Sequence, residues 1–402
     1  MIRFLTAGES HGKALSTIID GFPSNIKILK SDIDFQLKRR QAGYGRGERM
    51  SIESDTVEIL SGIRHGKSLG SPISLLISNK DWKNWEDIMS SEELISEISK
   101  VTIPRPGHAD LTGISKYNFN DIRNSIERSS ARETAARVAA CSIARIFLKE
   151  FDITIGSFVE SVGGVFSDKN IYNLLLGNEY HDNKSIIALS TSADKSDLRV
   201  LDSVHEKKIK NRIDEVKEKG DTLGGTMVVF AVGLPVGLGS FMQYDRRLDA
   251  EITSSIMSVN AVKGIEIGSG FNSAVNTGSS NNDVIELAGG NIGHRTNYSG
   301  GIEGGISNGM PLIIRAAMKP ISTLANPVET IDLSKMLPVK SRWERSDFTA
   351  VPSCSVIAES MLCWSIAKLF IEKFGGDSIE ETKDNYNSYM LKLNNRIKDN
   401  FK

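Results

Sequence analysis

The sequence of 402 residues predicts an α+β fold in which long core helices pack against antiparallel sheets. Short runs rich in Val, Ile and Phe end at glycines or prolines, which is typical of strands. A few longer segments repeat apolar residues at helical spacing, and they do not alternate regularly with the strands. No repeat, low-complexity linker or break in composition divides the chain. We therefore expect one domain over residues 1–402.

The strands are predicted from their apolar runs and their flanking turn residues. Six single strands are expected at residues 2–7, 14–19, 153–165, 224–234, 264–268 and 311–317. Residues 52–78 are predicted to form two antiparallel strands joined by the turn at 62–68.

The helices are predicted from apolar spacing and from residues typical of helix ends. Five are expected at residues 31–40, 130–147, 207–221, 249–262 and 355–374. Ser130 and Glu133 have the spacing of a capping box, so Ser130 is the expected N-cap of the second helix. Residues 167–222 are polar and charged and are expected to form a peripheral insert, whereas the charged tail 375–402 is expected to fray.

Composition limits the classes of function. The net charge is −1, so no global field favours nucleic acid or a membrane surface, although arginines are concentrated before residue 150. Cys141, Cys354 and Cys363 are too scattered for a disulfide framework or a zinc site, and we expect no metal. No export signal and no apolar run approaching about eighteen residues is recognised. We expect a soluble cytoplasmic protein.

The clearest candidate for an anion site is the start of the second predicted helix. Arg128 and Arg132 lie one turn apart beside Ser130, where free N–H groups and the helix dipole favour negative charge. The alternative is a solvated helix start at which these arginines pair with Glu127 and Glu133.

Upstream of this helix, a Pro-Gly turn presents Arg105 and His108, with Asp110 following. A histidine next to arginines is suited to meet a phosphate and to give it a proton. The alternative is a histidine with a structural role in the turn.

Two loops in the N-terminal third are rich in glycine. Three glycines within residues 43–47 accompany Arg46 and Arg49, which suits close approach of the backbone to a ligand or a mobile lid. No strand precedes this loop, so it is not a dinucleotide fingerprint, and the glycines of 62–68 are too closely spaced for a phosphate loop.

Two segments near the C-terminus add further polar groups. Residues 299–311 are dense in glycine and lead through a strand to residues 319–323, where a lysine and two hydroxyls can hold a second anion. Arg345 and Asp347 share a loop, in which a simple surface ion pair is the alternative interpretation.

Eight motifs occur in order across residues 8–352: GESHG, GRGERM, RPGHAD, RSSARET, NAVKGIEIG, SGGIEGGISNG, KPIST and RSDFTAVP. Together they resemble the chorismate synthase family. The resemblance implies a shikimate-pathway lyase that converts 5-enolpyruvylshikimate 3-phosphate to chorismate by 1,4-anti elimination of phosphate, on the way to aromatic amino acids. It also implies a need for reduced FMN without net redox change, a single-domain β-α-β sandwich and a homotetramer.

The resemblance also implies roles for individual residues. Catalysis would involve His11 at the reduced flavin, His108 as proton donor to the departing phosphate, and Asp347 assisting uptake of the ring proton. The substrate would be bound by Ser10, Arg40, Arg46, Arg49, Arg105 and Arg132. The flavin would be lined by Arg128, Ser129, Ser130, Asn260, Ala261, Gly304, Lys319, Pro320, Ile321, Ser322, Thr323 and Arg345. In family members that reduce their own flavin, Arg40 and Arg46 would also bind NADPH, whereas other members depend on an external flavin reductase.

The chain departs from the family pattern at Ile321 and Ser322, where many members have a Thr-Pro or Pro-Thr pair. Four histidines match no catalytic motif and are expected to be structural or exposed: His65, His181, His205 and His294. Two rival functions remain. One is a flavin reductase or dehydrogenase with net hydride transfer, and the other is an RNA-binding module, which lacks the interleaved aromatic residues that base stacking needs.

Overall fold

The computed structural model of the protein describes residues 1–46, 54–93, 98–180, 182–288, 291–342 and 347–400. It confirms the α+β class, since helices lie between two antiparallel sheets. The predicted strands and long helices are all present in the described residues, with shifted boundaries.

The first sheet has four strands and contains the N-terminal part of the chain. The strands in this part are β1 (Arg3–Ala7), β2 (Ala14–Asp20), β3 (Glu58–Ser61), β4 (Ile63–Arg64), β5 (Lys67–Ser68) and β6 (Ile73–Ser78). The sheet has the order β1-β2-β6-β3, and β4 and β5 form a separate small hairpin. The antiparallel pairing of β3 with β6 confirms the prediction for this region.

The second sheet has five strands in the order β10-β15-β9-β7-β8. The remaining strands are β7 (Thr154–Val162), β8 (Val165–Phe166), β9 (Gly225–Val232), β10 (Val262–Ile267), β11 (Ile285–Ala288), β12 (Asn291–His294), β13 (Ile302–Glu303), β14 (Ile306–Ser307), β15 (Leu312–Met318), β16 (Glu329–Asp332) and β17 (Leu337–Lys340). The predicted strand 153–165 divides into β7 and β8 because a Gly-Gly turn, with φ of 60° and 79°, reverses the chain.

The α-helices within the described residues are α1 (Lys30–Gln41), α2 (Asp110–Tyr117), α3 (Arg123–Ser129), α4 (Thr134–Lys149), α5 (Ile171–Leu176), α6 (Asn183–Ala193), α7 (Ser203–Glu218), α8 (Leu248–Met257), α9 (Gly278–Asn281), α10 (Val351–Phe374) and α11 (Ile379–Asn400). Short 3-10 turns occupy Lys80–Asn84, Ala131–Glu133, Tyr244–Arg246 and Gly270–Ala274. The helix predicted to reach Val262 ends at Met257 instead, because Val262 already pairs in β10.

Helices α4 and α10 form the middle layer. Helix α4 packs on β2 and on α10, while α10 packs on β7 and β9 of the other sheet. Phe147 of α4 and Phe370 of α10 are fully buried, with ring centroids 5.6 Å apart. The alanines of α4 let these helices approach closely, which gives the chain its β-α-β sandwich.

Helix α10 has the length and composition of a membrane span, although no such apolar run was expected from the sequence. It begins at Val351, and Pro352 in its first turn is favourable because the missing N–H would have no helical partner. Of its most apolar window, 94% is buried inside the fold. The helix is therefore a core helix.

The predicted capping box before α4 is wrong in detail. The α-helix begins at Thr134, and the hydroxyl of Ser130 accepts from the backbone N–H of Arg132 at 3.3 Å, so it caps the preceding 3-10 turn. The Glu133 carboxylate does not return to Ser130 but accepts from the hydroxyl of Thr6 at 2.8 Å. Glu133 is thus bound by Thr6 of the first sheet rather than by Ser130, the partner expected within the same helix start.

Residues 167–222 are not a peripheral insert. They form α5, α6 and α7. Helices α5 and α6 build a second buried cluster with alternate residues of β9, including Val228 and Phe230, whereas α7 packs into the main core. The intervening Val229 and Ala231 belong to the main core on the other face, as expected for a strand. Because the two clusters share one sheet, we propose that the chain forms a single domain.

The charged tail is helical rather than frayed over the residues that the structure describes. Helix α11 packs against α10 through Tyr386, whose ring centroid lies 5.3 Å from those of both Phe151 and Phe374. The many charged residues of this segment correctly indicate an exposed face. They outnumber the apolar residues that pack α11 against the core, so the sequence did not predict a docked helix.

Replacing Tyr386 by Ala is expected to lower the free energy of unfolding by about 2 kcal/mol, because a partly buried ring and its aromatic contacts are lost. Urea denaturation measures the change. Tyr244→Ala is the control, since Tyr244 is 76% exposed and its loss is expected to change stability by less than about 0.5 kcal/mol. Equal losses in the two variants would contradict a docked α11.

Candidate active site

A cleft of 570 Å³ opens where the end of α1, the turn before α4, the loop after α8, the end of β15 and the start of α10 meet. Most of the predicted site residues line it: Arg40, Arg46, His108, Ser129, Ser130, Arg132, Asn260, Ala261, Lys319, Pro320, Ile321, Ser322 and Asp347. The chain thus brings together residues that are more than three hundred positions apart in the sequence. A cleft of this size suits a small molecule.

Other predicted residues lie behind or outside this lining. Ser10 lies behind Ser130, whose hydroxyl donates to the Ser10 hydroxyl at 3.1 Å. Arg105 reaches the hydroxyl of Thr323 at 3.4 Å. The guanidinium of Arg128 donates to a backbone carbonyl of β1.

Gly304, predicted to line the flavin, lies in the turn between β13 and β14 and is not among the residues that line the cleft. Arg49 and Arg345 lie outside the described residues.

Asp55, which the sequence analysis missed, joins two buried arginines of the cleft. Its Oδ1 accepts from Nη1 of Arg132 at 2.7 Å, and its Oδ2 lies 3.5 Å from Nη1 of Arg40. The hydroxyl of Thr134 accepts from Nε of Arg40 at 3.0 Å, and Oδ1 of Asn79 accepts from Nε of Arg132 at 2.9 Å. Burial lowers the pKa of Arg40 to about 10, and the charge of Asp55 partly offsets this effect. The guanidinium stays charged at neutral pH.

Arg46 is held at the other side of the cleft by the start of α10. Its Nη1 donates to the hydroxyl of Ser353 at 2.7 Å and lies 3.1 Å from Oδ2 of Asp347. Ser353 in turn donates to the backbone carbonyl of Arg40 at 2.6 Å. This hydroxyl therefore couples the two arginines, although nothing in the sequence motifs singles it out.

His108 is fixed by a buried carboxylate. Its Nδ1 lies 2.7 Å from Oδ1 of Asp110, which also accepts from Nη2 of Arg105 at 3.0 Å. Burial alone would raise the pKa of the Asp110 carboxyl, but the hydrogen bonds from His108 and Arg105 outweigh it and hold that pKa well below its usual range. Asp110 is therefore ionised, and it orients the imidazole.

The loop carrying His108 is pinned by two side chains that were predicted to line the flavin. The backbone carbonyl of Gly107 accepts from the ammonium of Lys319 at 2.6 Å and from the hydroxyl of Ser322 at 2.7 Å. The φ of Gly107 is 74°, a conformation that favours glycine. The serine at position 322, where the chain departs from the family pattern, thus takes part in holding the loop.

His11 does not line the cleft. Its Nδ1 lies 3.0 Å from both carboxylate oxygens of Glu127. From the sequence, Glu127 was considered only as a partner for the neighbouring arginines. Its neighbour Ser10 connects it to the cleft through Ser130.

Three of the four histidines without a catalytic motif are described by the structure, and none of these three lines the cleft. His205 is buried, with Nε2 3.0 Å from the carbonyl of Val165, and His65 lies in the β4–β5 turn with φ of 50°. His294 of β12 lies 3.4 Å from Glu303. His181 is outside the described residues.

The cleft also contains polar atoms that lack partners within the described part of the chain. The amide nitrogen of Asn260 donates to the carbonyl of Ser129 at 3.1 Å, but its buried Oδ1 has no partner there. The buried Nε of Arg46 likewise has no hydrogen-bond partner among the described residues. Apolar surface from Val259, Met318 and other residues lies beside them. This combination suits a ligand with a flat apolar body and polar edges.

Arginine side chains around an open cleft give this β-α-β sandwich protein a candidate site for an anionic ligand. A family model described as "Chorismate synthase" matches residues 2–371. The chain therefore belongs to the chorismate synthase family, and it is an enzyme, a carbon–oxygen lyase of aromatic amino acid biosynthesis.

Several known proteins are similar over nearly their whole length. The chorismate synthase of Chlorobium phaeovibrioides is 51% identical over 97% of this chain and 98% of its own, and that of Aquifex aeolicus is 48% identical over 97% of each chain. A solved structure described as the crystal structure of chorismate synthase has a TM-score of 0.76 and 41% identity, and it covers 96% of this chain and 97% of that one.

Proposed function

We propose that the chain converts 5-enolpyruvylshikimate 3-phosphate to chorismate by a 1,4-anti elimination that depends on reduced FMN without net redox change. The observation that carries the proposal is the convergence of Arg40, Arg46 and Arg132 on one cleft beside His108. The substrate has a phosphate and two carboxylates, and guanidinium groups bind such planar or tetrahedral anions through paired hydrogen bonds. Family membership supports the same reaction.

The residues present fit a flavin. The unpartnered Oδ1 of Asn260 can accept from a ring N–H, and the apolar lining can cover the ring faces. The residues that we propose to hold FMN are Arg128, Ser129, Ser130, Asn260, Ala261, Gly304, Lys319, Pro320, Ile321, Ser322, Thr323 and Arg345. When bound in its reduced form, FMN would supply electron density to the carbon that loses phosphate.

The chain's own residues would bind the anions and move protons. Arg40, Arg46 and Arg132 hold the substrate, with Ser10, Arg49 and Arg105 assigned to the same task. His108, with its ring oriented by Asp110, protonates the phosphate as the carbon–oxygen bond breaks. Asp347, placed by Arg46, assists removal of the ring proton, and His11 acts at the edge of the reduced flavin. The pre-set geometry reduces the entropy cost of bringing these groups together.

The test is an anaerobic assay with purified protein, 5-enolpyruvylshikimate 3-phosphate and chemically reduced FMN, in which phosphate release and chorismate absorbance are followed. We expect product only with reduced flavin, with many turnovers per flavin. Net flavin oxidation that matches product would indicate the dehydrogenase instead. No product from folded protein with bound flavin would contradict the proposed reaction.

A second arm of the assay replaces reduced FMN by oxidised FMN and NADPH. A chain that reduces its own flavin would bind NADPH through Arg40 and Arg46, whereas a chain that does not would depend on an external flavin reductase. We also propose a cytoplasmic location and a homotetramer, as in the family. Exposed apolar side chains of β11 and β12, including Leu287 at 76% exposure, support assembly.

A further inference from the structure

Glu127 of α3 is a buried carboxylate that faces the loop carrying Ser10 and His11. Its side chain is 1% exposed, and its Oε2 accepts from the backbone N–H of His11 at 2.8 Å. Both of its oxygens lie 3.0 Å from Nδ1 of the same histidine. Its backbone carbonyl accepts from the N–H of Ser10 at 3.0 Å. One residue therefore holds two consecutive residues of the loop.

An aromatic contact completes the cradle of His11. The ring of Trp85 stacks on the imidazole with centroids 4.0 Å apart and an interplanar angle of 28°. The guanidinium of Arg123 lies 5.1 Å from the centre of the Trp85 ring and 3.6 Å from Glu127. The imidazole is thus fixed on one edge by the carboxylate and on one face by the indole.

The charge of Glu127 determines which nitrogen of His11 carries the proton. Burial alone would raise the pKa of Glu127, but the hydrogen bonds from His11 and the charge of Arg123 lower it overall. An ionised carboxylate only accepts hydrogen bonds, so Nδ1 must present its N–H to Glu127. In the neutral ring, the basic nitrogen is then Nε2, on the opposite edge.

We propose that Glu127 is a positioning residue, which fixes the orientation and the Nδ1–H tautomer of His11 for its part in the reaction. The inference rests on the proposed function of His11. The loop that Glu127 holds reaches the cleft through the hydrogen bond between Ser130 and Ser10. A change at Glu127 would therefore disturb Ser10 and His11 without altering the arginines proposed to bind the substrate.

Glu127→Gln tests the proposal because an amide offers one acceptor where the carboxylate offers two. The amide is neutral and its NH₂ group can donate to Nδ1, so Gln no longer requires the Nδ1–H tautomer of His11. In spectra of ¹⁵N-histidine-labelled protein at alkaline pH, we expect His11 to be the Nδ1–H tautomer in the wild type. In Glu127→Gln, we expect a mixture of tautomers or the Nε2–H form.

The same variant is expected to lower kcat by about tenfold or more, with a smaller change in KM, because general acid–base catalysis depends on the correct tautomer. The double variant with His11→Ala is expected to be no slower than His11→Ala alone, since Glu127 acts through His11. Effects that multiply, or an unchanged tautomer, would overturn the proposal.

Two further variants keep the test decisive. Glu215→Gln removes an exposed carboxylate paired with Arg212 at 3.0 Å, and it is expected to change neither kcat nor the His11 spectrum. If Glu127→Gln does not fold, Glu127→Asp carries the same test, because the shorter side chain cannot reach both N–H groups. Wild-type turnover in His11→Ala would overturn the proposed function of His11, and the spectra would still decide whether Glu127 fixes its tautomer.

Discussion

Replacing His108 by Ala is expected to lower kcat by roughly 10²–10⁴, the usual contribution of a positioned general acid. His108 is the histidine that lines the described part of the cleft, and Asp110 orients its ring through Nδ1 at 2.7 Å. Phosphate leaves poorly as a full anion, so the loss of its proton donor slows the bond-breaking step. Binding depends mainly on the arginines, and KM is expected to change much less.

The matched control is His65→Asn. His65 lies on an exposed turn with φ of 50°, a conformation that Asn tolerates, and it is not among the residues that line the cleft. Steady-state kinetics with reduced FMN and phosphate release measure both variants. Wild-type kcat in His108→Ala would remove His108 from the mechanism. An equal loss in the control would indicate a general effect of folding.

Replacing Glu359 by Ala is expected to lower the free energy of unfolding by about 3–5 kcal/mol, because it leaves buried cations without their carboxylate. Glu359 of α10 is fully buried and accepts from Nη1 and Nη2 of Arg39 at 2.8 and 3.1 Å. It also accepts from Arg145 and, at 2.8 Å, from the hydroxyl of Ser157, and it lies 3.6 Å from Arg199.

The same network makes stability depend on pH. Burial alone would raise the pKa of Glu359, but the charges of Arg39 and Arg145 hold it well below its usual range. A depressed pKa contributes stability that is fully present above the unfolded value of about 4.3 and is lost as the pH falls toward the folded value. We therefore expect the wild type to lose stability below about pH 5 more steeply than Glu359→Gln.

Chemical denaturation from pH 3 to 7 measures both effects. Glu329→Ala is the control, since its carboxylate is 91% exposed and 3.8 Å from Lys340, and the expected loss is below about 1 kcal/mol. A loss at Glu359 as small as that of the control would contradict a stabilising network. Identical pH profiles for the wild type and Glu359→Gln would contradict the assigned charge of Glu359.

Two adjacent residues of α1 show how the network and the cleft are connected. Arg39 binds Glu359 in the core, whereas Arg40 turns to Asp55 and the cleft. Both arginines lie in the last turn of this helix, where the helix dipole favours positive charge. Their actual partners come from other parts of the chain, so the helix end is placed by long-range ion pairs.

Local pattern was enough to predict the main elements of the fold. Strands with bounding glycines and helices with apolar spacing depend on residues within a few positions of one another, so a single sequence contains that information. The motif order was likewise enough to indicate the family and to collect thirteen residues that line the cleft. Helices α7 and α11 were expected at the periphery because charged residues dominate their sequences, yet Ile209 and Ile213 of α7 enter the main core and Tyr386 of α11 packs on Phe374.

The sequence by itself determined the fold class, the family and the side chains available for the chemistry. Tertiary structure alone decided which carboxylate meets which cation or histidine. Asp55 meets Arg132 across 77 positions, and Glu127 meets His11 across 116. No periodicity marks such pairs, because they form where packed layers bring distant backbones together. Burial then gives each pair its effect, since charges and hydrogen bonds interact more strongly away from water.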